Sequence, residues 1–376
     1  MITWMDSLQE LLNKKKEGNA LRRLKTVEGL IDFCSNDYLG LANSKELFEI
    51  IHLRVTKITP PYNGATGSRL LSGNRTLAET LELKLAAIFN SAKTLLFNSG
   101  YTANLAVLSS LPQRGDTLLY DELVHACIKD GARLSLASRF SFKHNDLNDL
   151  EDKIKRAKGN VFIAVESIYS MDGNACPLKE LTFLASKYGA AIILDEAHST
   201  GSYGPNGSGM AVEQKLENKI AVRVYTFGKA MGVHGACVAG DETLINYLIN
   251  FARPFIYTTA MPPHSLISIQ SAFDFLQQNM DRQKTLQSKI QLFLSRTEKL
   301  PLQRIKSKSA IQNVIVPGNT DVKKLGSYLE ENKFDCRPIL SPTIKEGTER
   351  IRICLHAFNS DEEIKGLTSA LQNFVQ

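Results

Sequence analysis

The chain has 376 residues, 43% hydrophobic and 22% charged, and its 45 Lys and Arg exceed its 39 Asp and Glu to give a formal net charge of +6 at pH 7. A chain of this length and balance buries a large core as one big domain or two unequal ones. So mild a surplus, with no basic run longer than Lys14-Lys15-Lys16, leaves no footprint for nucleic acid or a membrane surface.

In chain order, "MITWMDSLQELLNKKKEGNALRRL" predicts an amphipathic, polar helix rather than a signal peptide, and no apolar run approaches membrane-spanning length. After "GLIDFCSNDYLGL" a helix is expected at Ser44–Lys57, followed by the glycine-rich loop "PPYNGATGSRLLSGN" and a helix on which Leu77, Leu81, Leu85 and Ile88 share one face. Short apolar runs then alternate with amphipathic stretches: "TLLF" (94–97), "TLLY" (117–120), "VFIAVE" (161–166), "AIILDE" (191–196), "VRVYTFG" (222–228) and "ACVAG" (236–240). That alternation predicts a largely parallel sheet with helices on both faces. Past Arg253-Pro254 come long helical patterns to about Leu300, then strand "NVIV", helix 321–331, strands near "CRPIL" and "RIRICL", and a closing helix opened by Ser360 with Glu363 as a capping box. The expected division is an N-terminal helix and arm over 1–43, a large α/β domain over 44–265 and a small α+β domain over 266–376. The six cysteines (Cys34, Cys127, Cys176, Cys237, Cys336, Cys354) show no CxxC spacing, which speaks against a disulfide framework or a metal site and for a reducing compartment, the cytoplasm by default.

The stretch "AIILDEAHSTG" (191–201) runs a buried strand into Asp195, Glu196, Ala197 and His198, the tetrapeptide of an ATP-driven helicase. That chemistry needs a G-x-x-x-x-G-K-[ST] loop to hold the phosphates, and none exists, Lys229 being followed by Ala230. An acid at a strand end, a histidine three residues on and a lone lysine in the glycine-flanked turn "TFGKAMG" suit pyridoxal phosphate instead. That cofactor needs a lysine amine, an acid to keep its ring nitrogen protonated and a phosphate cradle. The cradle candidate is "FNSGYTAN" (97–104), a strand end, a Ser-Gly turn and a helix start.

Through "SNDYLGL" (35–41), "GSRLLSG" (67–73), "SGYTAN" (99–104), "HACIKDGARLS" (125–135), "ESIYSMDGNACPL" (166–178), "DEAHSTGSYGPNGSG" (195–209), "TFGKAMGVHGA" (226–236), "FARPFIYTTAMPP" (251–263) and "GTERIRICL" (347–355), the chain resembles the α-oxoamine synthases. These are pyridoxal-phosphate enzymes of the aspartate-aminotransferase fold (fold type I). The resemblance implies that Lys229 bonds the cofactor covalently and acts as acid and base, that Asp195 pairs with the ring nitrogen, that His198 bonds the phenolic oxygen and that His125 stacks on the ring. It implies further hydrogen bonds from Ser170 and Thr226, and phosphate contacts from Ser99, Gly100 and Tyr101. Thr258 or Thr259 is expected to reach the phosphate of the other subunit, which makes a homodimer with shared active sites. Arg352, with Arg350 as the fallback on the same strand face, is expected to clamp an amino-acid carboxylate, and Asn36 with Arg22 or Arg23 to face the acyl substrate. The implied substrates are L-alanine and a pimeloyl thioester, joined with loss of carbon dioxide; a glycine-using sibling is the alternative. A catalytically silent scaffold of the same fold is disfavoured because Lys229 is present. One position departs from the family pattern: Ala78 stands where a histidine is usual.

Overall fold

All six apolar runs form strands in the computed structural model, which describes residues 3–26 and 28–375: Lys93–Phe97, Thr117–Asp121, Val161–Glu166, Ala191–Asp195, Val222–Thr226 and Ala236–Gly240. With Ser138–Phe142 they make a seven-stranded sheet in the order Lys93–Phe97, Ala236–Gly240, Val222–Thr226, Ala191–Asp195, Val161–Glu166, Thr117–Asp121, Ser138–Phe142. Only Ala236–Gly240 runs against its neighbours, the other pairs being parallel. The central strands are buried on both faces, which is why they read as unbroken apolar runs. Ser138–Phe142 was invisible to that signal: four of its five residues are exposed, and its extended form comes from pairing with Thr117–Asp121.

Strand register sets up the site. Glu166 lies opposite Asp195, and Asp195 opposite Val224, so the carboxyl ends of three adjacent strands present Glu166, Asp195 and Thr226 side by side. In open α/β sheets this is the edge where ligands bind.

The chain divides into two compact units, the larger being Asn36–Ser170 with Ala175–Lys284 and the smaller Met1–Ser35, Met171–Asn174 and Thr285–Gln376. The boundary expected at 265 falls inside the larger unit because helix Pro263–Gln278 is part of its core. Phe273 meets Phe89 and Phe227 edge to face at 5.7 and 5.5 Å between ring centres. Phe227 stands two residues before Lys229, so this aromatic cluster anchors the turn that carries the lysine. Gly232 closes that turn at φ +66, where a Cβ would meet the Ala42 nitrogen at 2.3 Å.

The smaller unit holds an antiparallel sheet in the order Arg337–Ile339, Arg350–Cys354, Ile311–Ile315, and a parallel pair of Ile31–Asp32 with Phe334–Asp335. Its closing helix, Asp361–Val375, opens on the expected capping box: Ser360 N–H donates to Glu363 Oε2 at 2.9 Å and Glu363 N–H to Ser360 Oγ at 3.1 Å. The N-terminal helix, Trp4–Glu17, leaves Trp4, Leu8, Leu11 and Leu12 exposed; Met1 and Ile2 of the expected helix lie outside the described residues. Among the described residues no helix is long and apolar enough to cross a membrane.

Candidate active site

The Ser-Gly turn after Lys93–Phe97 starts helix Gly100–Ser110, whose N-cap Ser99 accepts Thr102 N–H at 3.2 Å and whose first N–H groups point out of the opening turn. Gly100 packs so tightly on Thr226 that a Cβ would come within 2.3 Å of Thr226 Cγ2. Only glycine permits that approach. The buried Thr226 Oγ1 has no hydrogen-bond partner in the structure, which leaves a donor beside the helix start for an outside acceptor. The result is a cradle for an anion.

Beside it lies a cleft of about 300 Å³ lined by Asn104, His125, Asp195, His198, Lys229 and His234 among others. Asp195, buried at its strand end, accepts Asn104 Nδ2–H at 2.7 Å and Ala197 N–H at 2.8 Å. These two N–H donors fix the orientation of the carboxyl group toward the cleft. His198 lies between Tyr38 and Lys229, with Nδ1 at 2.7 Å from the Tyr38 hydroxyl and Nε2 at 3.0 Å from Lys229 Nζ. The Tyr38 hydroxyl also donates to Asn36 Oδ1 at 3.0 Å, so Asn36, Tyr38, His198 and Lys229 form one run of polar contacts. A primary amine, a carboxyl group and an anion cradle thus converge, a set suited to a carbonyl, a ring nitrogen and a phosphate.

Glu166 forms the floor. Its Oε1 accepts His125 N–H at 2.5 Å and its Oε2 accepts Ser170 N–H at 3.1 Å, tying the residues expected to flank the cofactor ring to one carboxyl group. Burial, and then the Asp195 charge across the strand pair, push the Glu166 pKa up to about 8. Neighbouring buried carboxyls cannot both ionise cheaply. The His125 ring opens to the cleft and meets the exposed Tyr101 ring edge-on at 6.5 Å; crowding by protein holds its pKa below the usual histidine value.

The other expected residues are placed as follows. Thr258 is half-buried and Thr259 exposed; Asn98 Nδ2 donates to Thr258 Oγ1 at 3.2 Å and to Thr259 O at 3.0 Å. Ala78 is buried against the same segment, at a small cavity shared with both threonines. Arg22, Arg23, Arg350 and Arg352 belong to the smaller unit. Arg22 and Arg23 are exposed, with Arg22 Nη2 donating to Thr343 Oγ1 at 2.8 Å. Arg350 is buried, pairing with Asp172 at 2.7 Å and donating from Nε to Thr348 O at 2.9 Å. Arg352 is half-buried, with Nη1 at 3.0 Å from Cys354 Sγ. A second cavity of about 350 Å³ near Arg69 and Ile249 is no rival, because its charges are paired, Arg69 with Glu82 at 2.8 Å.

Sequence reasoning missed Asn104, Tyr38, Glu166, Cys127 and His234 in the cleft or next to it. Asn104 stands four residues after Gly100, one helical turn on the same face, a spacing that pointed to the cradle side. Tyr38, Cys127, Glu166 and His234 lie inside the segments that carry the family resemblance, but nothing local set them apart from their structural neighbours.

The chain matches the family description "aminotransferase class I and II" over residues 28–371. It is 39% identical to an 8-amino-7-oxononanoate synthase of Emericella nidulans, over 99% of this chain and 96% of that one. Among solved structures it superimposes on an 8-amino-7-oxononanoate synthase from Francisella tularensis at TM-score 0.79 and 30% identity, covering 92% of this chain and 98% of the other. A serine palmitoyltransferase from S. paucimobilis with bound PLP gives TM-score 0.89 at 24% identity, over 98% and 96%, a likeness of fold.

Proposed function

Because the chain belongs to the aminotransferase class I and II family, we propose that it is a pyridoxal-phosphate-dependent acyltransferase of biotin biosynthesis, which makes 8-amino-7-oxononanoate from L-alanine and a pimeloyl thioester with release of carbon dioxide and free thiol. The observation that carries this reading is the convergence of Lys229, His198 and the Asp195–Asn104 pair beside the Gly100 cradle. The residues present fit the cofactor: the orphaned Thr226 hydroxyl and the helix start suit its phosphate, Asp195 its ring nitrogen and Lys229 its aldehyde.

When bound, pyridoxal phosphate supplies an aldehyde that takes up amines and a cationic ring that accepts the electron pair released at Cα. Ser99, Gly100, Tyr101 and Thr226 would hold the phosphate, and Thr258 and Thr259 would complete the site of a partner subunit in a homodimer with shared active sites. Asp195 would keep the ring nitrogen protonated, His198 and Ser170 would hydrogen-bond the cofactor, and His125 would pack on it. Arg352 clamps the alanine carboxylate. Lys229 Nζ would remove the alanine Cα proton; Cα then bonds the acyl carbonyl carbon as the thiolate departs, the alanine carboxylate leaves as carbon dioxide, and the Lys229 ammonium, beside His198 Nε2 at 3.0 Å, returns its proton to the same carbon. Asn36 with Arg22 or Arg23 faces the acyl chain and its carrier, coenzyme A or a carrier protein. The proposed location is the cytoplasm, on the unpatterned cysteines.

The test is a mass-spectrometric product assay with a panel of amino acids and acyl thioesters. Product of the expected mass from alanine and pimeloyl thioester supports the reading, and glycine outcompeting alanine overturns it.

A further inference from the structure

We propose that Cys127 is a positioning residue whose thiol, beside its own backbone N–H, donates to His125 Nδ1 and so holds the ring neutral with its proton on Nε2; the inference rests on the cofactor site assigned above. His125 caps helix Ala126–Leu134 in an unusual way: its ring Nδ1, not a hydroxyl or carboxylate, accepts Cys127 N–H at 3.2 Å. A ring nitrogen that accepts an amide proton presents its lone pair, so Nδ1 carries no hydrogen and the ring proton sits on Nε2. The Cys127 thiol stands 2.9 Å from the same Nδ1 and donates to it as well. Burial drives the thiol pKa far up, so the sulfur stays a neutral donor across the working pH range.

Asn104 orients the acid at the neighbouring strand end. Its side-chain nitrogen donates to Asp195 Oδ2 at 2.7 Å, while its Oδ1 is buried without a partner. Turning the amide over would set that oxygen against the carboxylate, so the N–H side must face Asp195.

The groups facing the His125 ring fall on both sides of the balance. Burial opposes its protonation most, Asp195 and Asp130 favour it, and Lys229 opposes it. Tyr101 meets the ring edge-on, and Glu166 engages its backbone N–H, not the ring. A neutral ring with Nδ1 turned away can lie on a cationic cofactor ring without charge repulsion.

The experiment is nitrogen NMR of histidine imidazoles in the full chain, before and after adding pyridoxal phosphate, for the parent, Cys127→Ala and Cys127→Ser, with His125→Gln to assign the signal. The parent should show Nε2–H and an unprotonated Nδ1 near neutral pH. Cys127→Ala, which keeps the backbone N–H, should make His125 easier to protonate by about tenfold, the worth of one hydrogen bond, with the neutral ring still protonated on Nε2; Cys127→Ser, which keeps a side-chain donor, should restore the parent titration. A proton on Nδ1 in the parent overturns the proposal even if Cys127→Ala does not fold, and so does a Cys127→Ala titration identical to the parent's. The cofactor's absorbance reports separately: a chain that binds no pyridoxal phosphate sinks the site assignment and leaves the tautomer result to be read in the cofactor-free chain.

Discussion

Asp195 and Arg350 are both buried charges on strands, yet their partners give them opposite duties. Asp195 accepts from Asn104 and the Ala197 backbone and lines the open cleft. Replacing it by Asn keeps its shape and removes its charge. An opposite charge at this range shifts a pKa by 1–3 units, so exchange of alanine's α-deuterium in Asp195→Asn should fall by roughly 10- to 1000-fold while the cofactor still binds; near-normal exchange would falsify the assigned role. Arg350 is engaged by Asp172 and Thr348. Arg350→Lys cannot reproduce both contacts, and its denaturant midpoint should report a loss of about 1–3 kcal/mol with the alanine KM little changed. Arg352→Lys should do the reverse, raising the alanine KM at nearly constant stability. If the two variants exchange these behaviours, Arg350 is the carboxylate clamp. From sequence, the two arginines were indistinguishable, since residues two apart on a strand share a face; the ion pair with Asp172 separates them.

The element that matters most is the pair of strand ends at Glu166 and Asp195, held in register by their ladder. The Glu166 pKa is raised from 4.5 to about 8, so the folded chain keeps a proton there that the unfolded chain has already lost between those values. The stability from this group is complete below pH 4.5 and is lost as pH rises toward 8, with a slope of at most about 1.4 kcal/mol per pH unit. Glu166→Gln cannot titrate. Its urea midpoint, though lower overall because one of two N–H acceptors is gone, should decline less than the parent's between pH 5 and 8; parallel curves would refute the assignment. Apolar runs bounded by turn residues revealed the buried strands and hid Ser138–Phe142, whose exposed polar residues carry no burial signal.

For the molecule as a whole, the proposed homodimer makes the sharpest prediction. If Thr258 and Thr259 serve the partner's phosphate, then mixing Lys229→Ala chains with chains carrying Thr258→Ala and Thr259→Ala should restore activity. One of the two sites in each mixed dimer then has a full set of groups. Activity of mixtures no higher than the sum of the separate variants, or a fully active monomer by sedimentation, would count against shared sites.

Local pattern alone determined which stretches are buried strands, where helix Gly100–Ser110 and the Lys229 turn begin, and that an amine, an acid and an anion cradle are present, because burial periodicity, caps and glycine turns are short-range signals. Only the tertiary structure decided which groups meet. Asn104 reaches Asp195 across 91 residues, Tyr38 reaches His198 across 160 and Arg350 reaches Asp172 across 178. Those meetings depend on strand order and register, which no single segment encodes, and they set the orientation of Asp195, the placement of His198 and the engagement of Arg350.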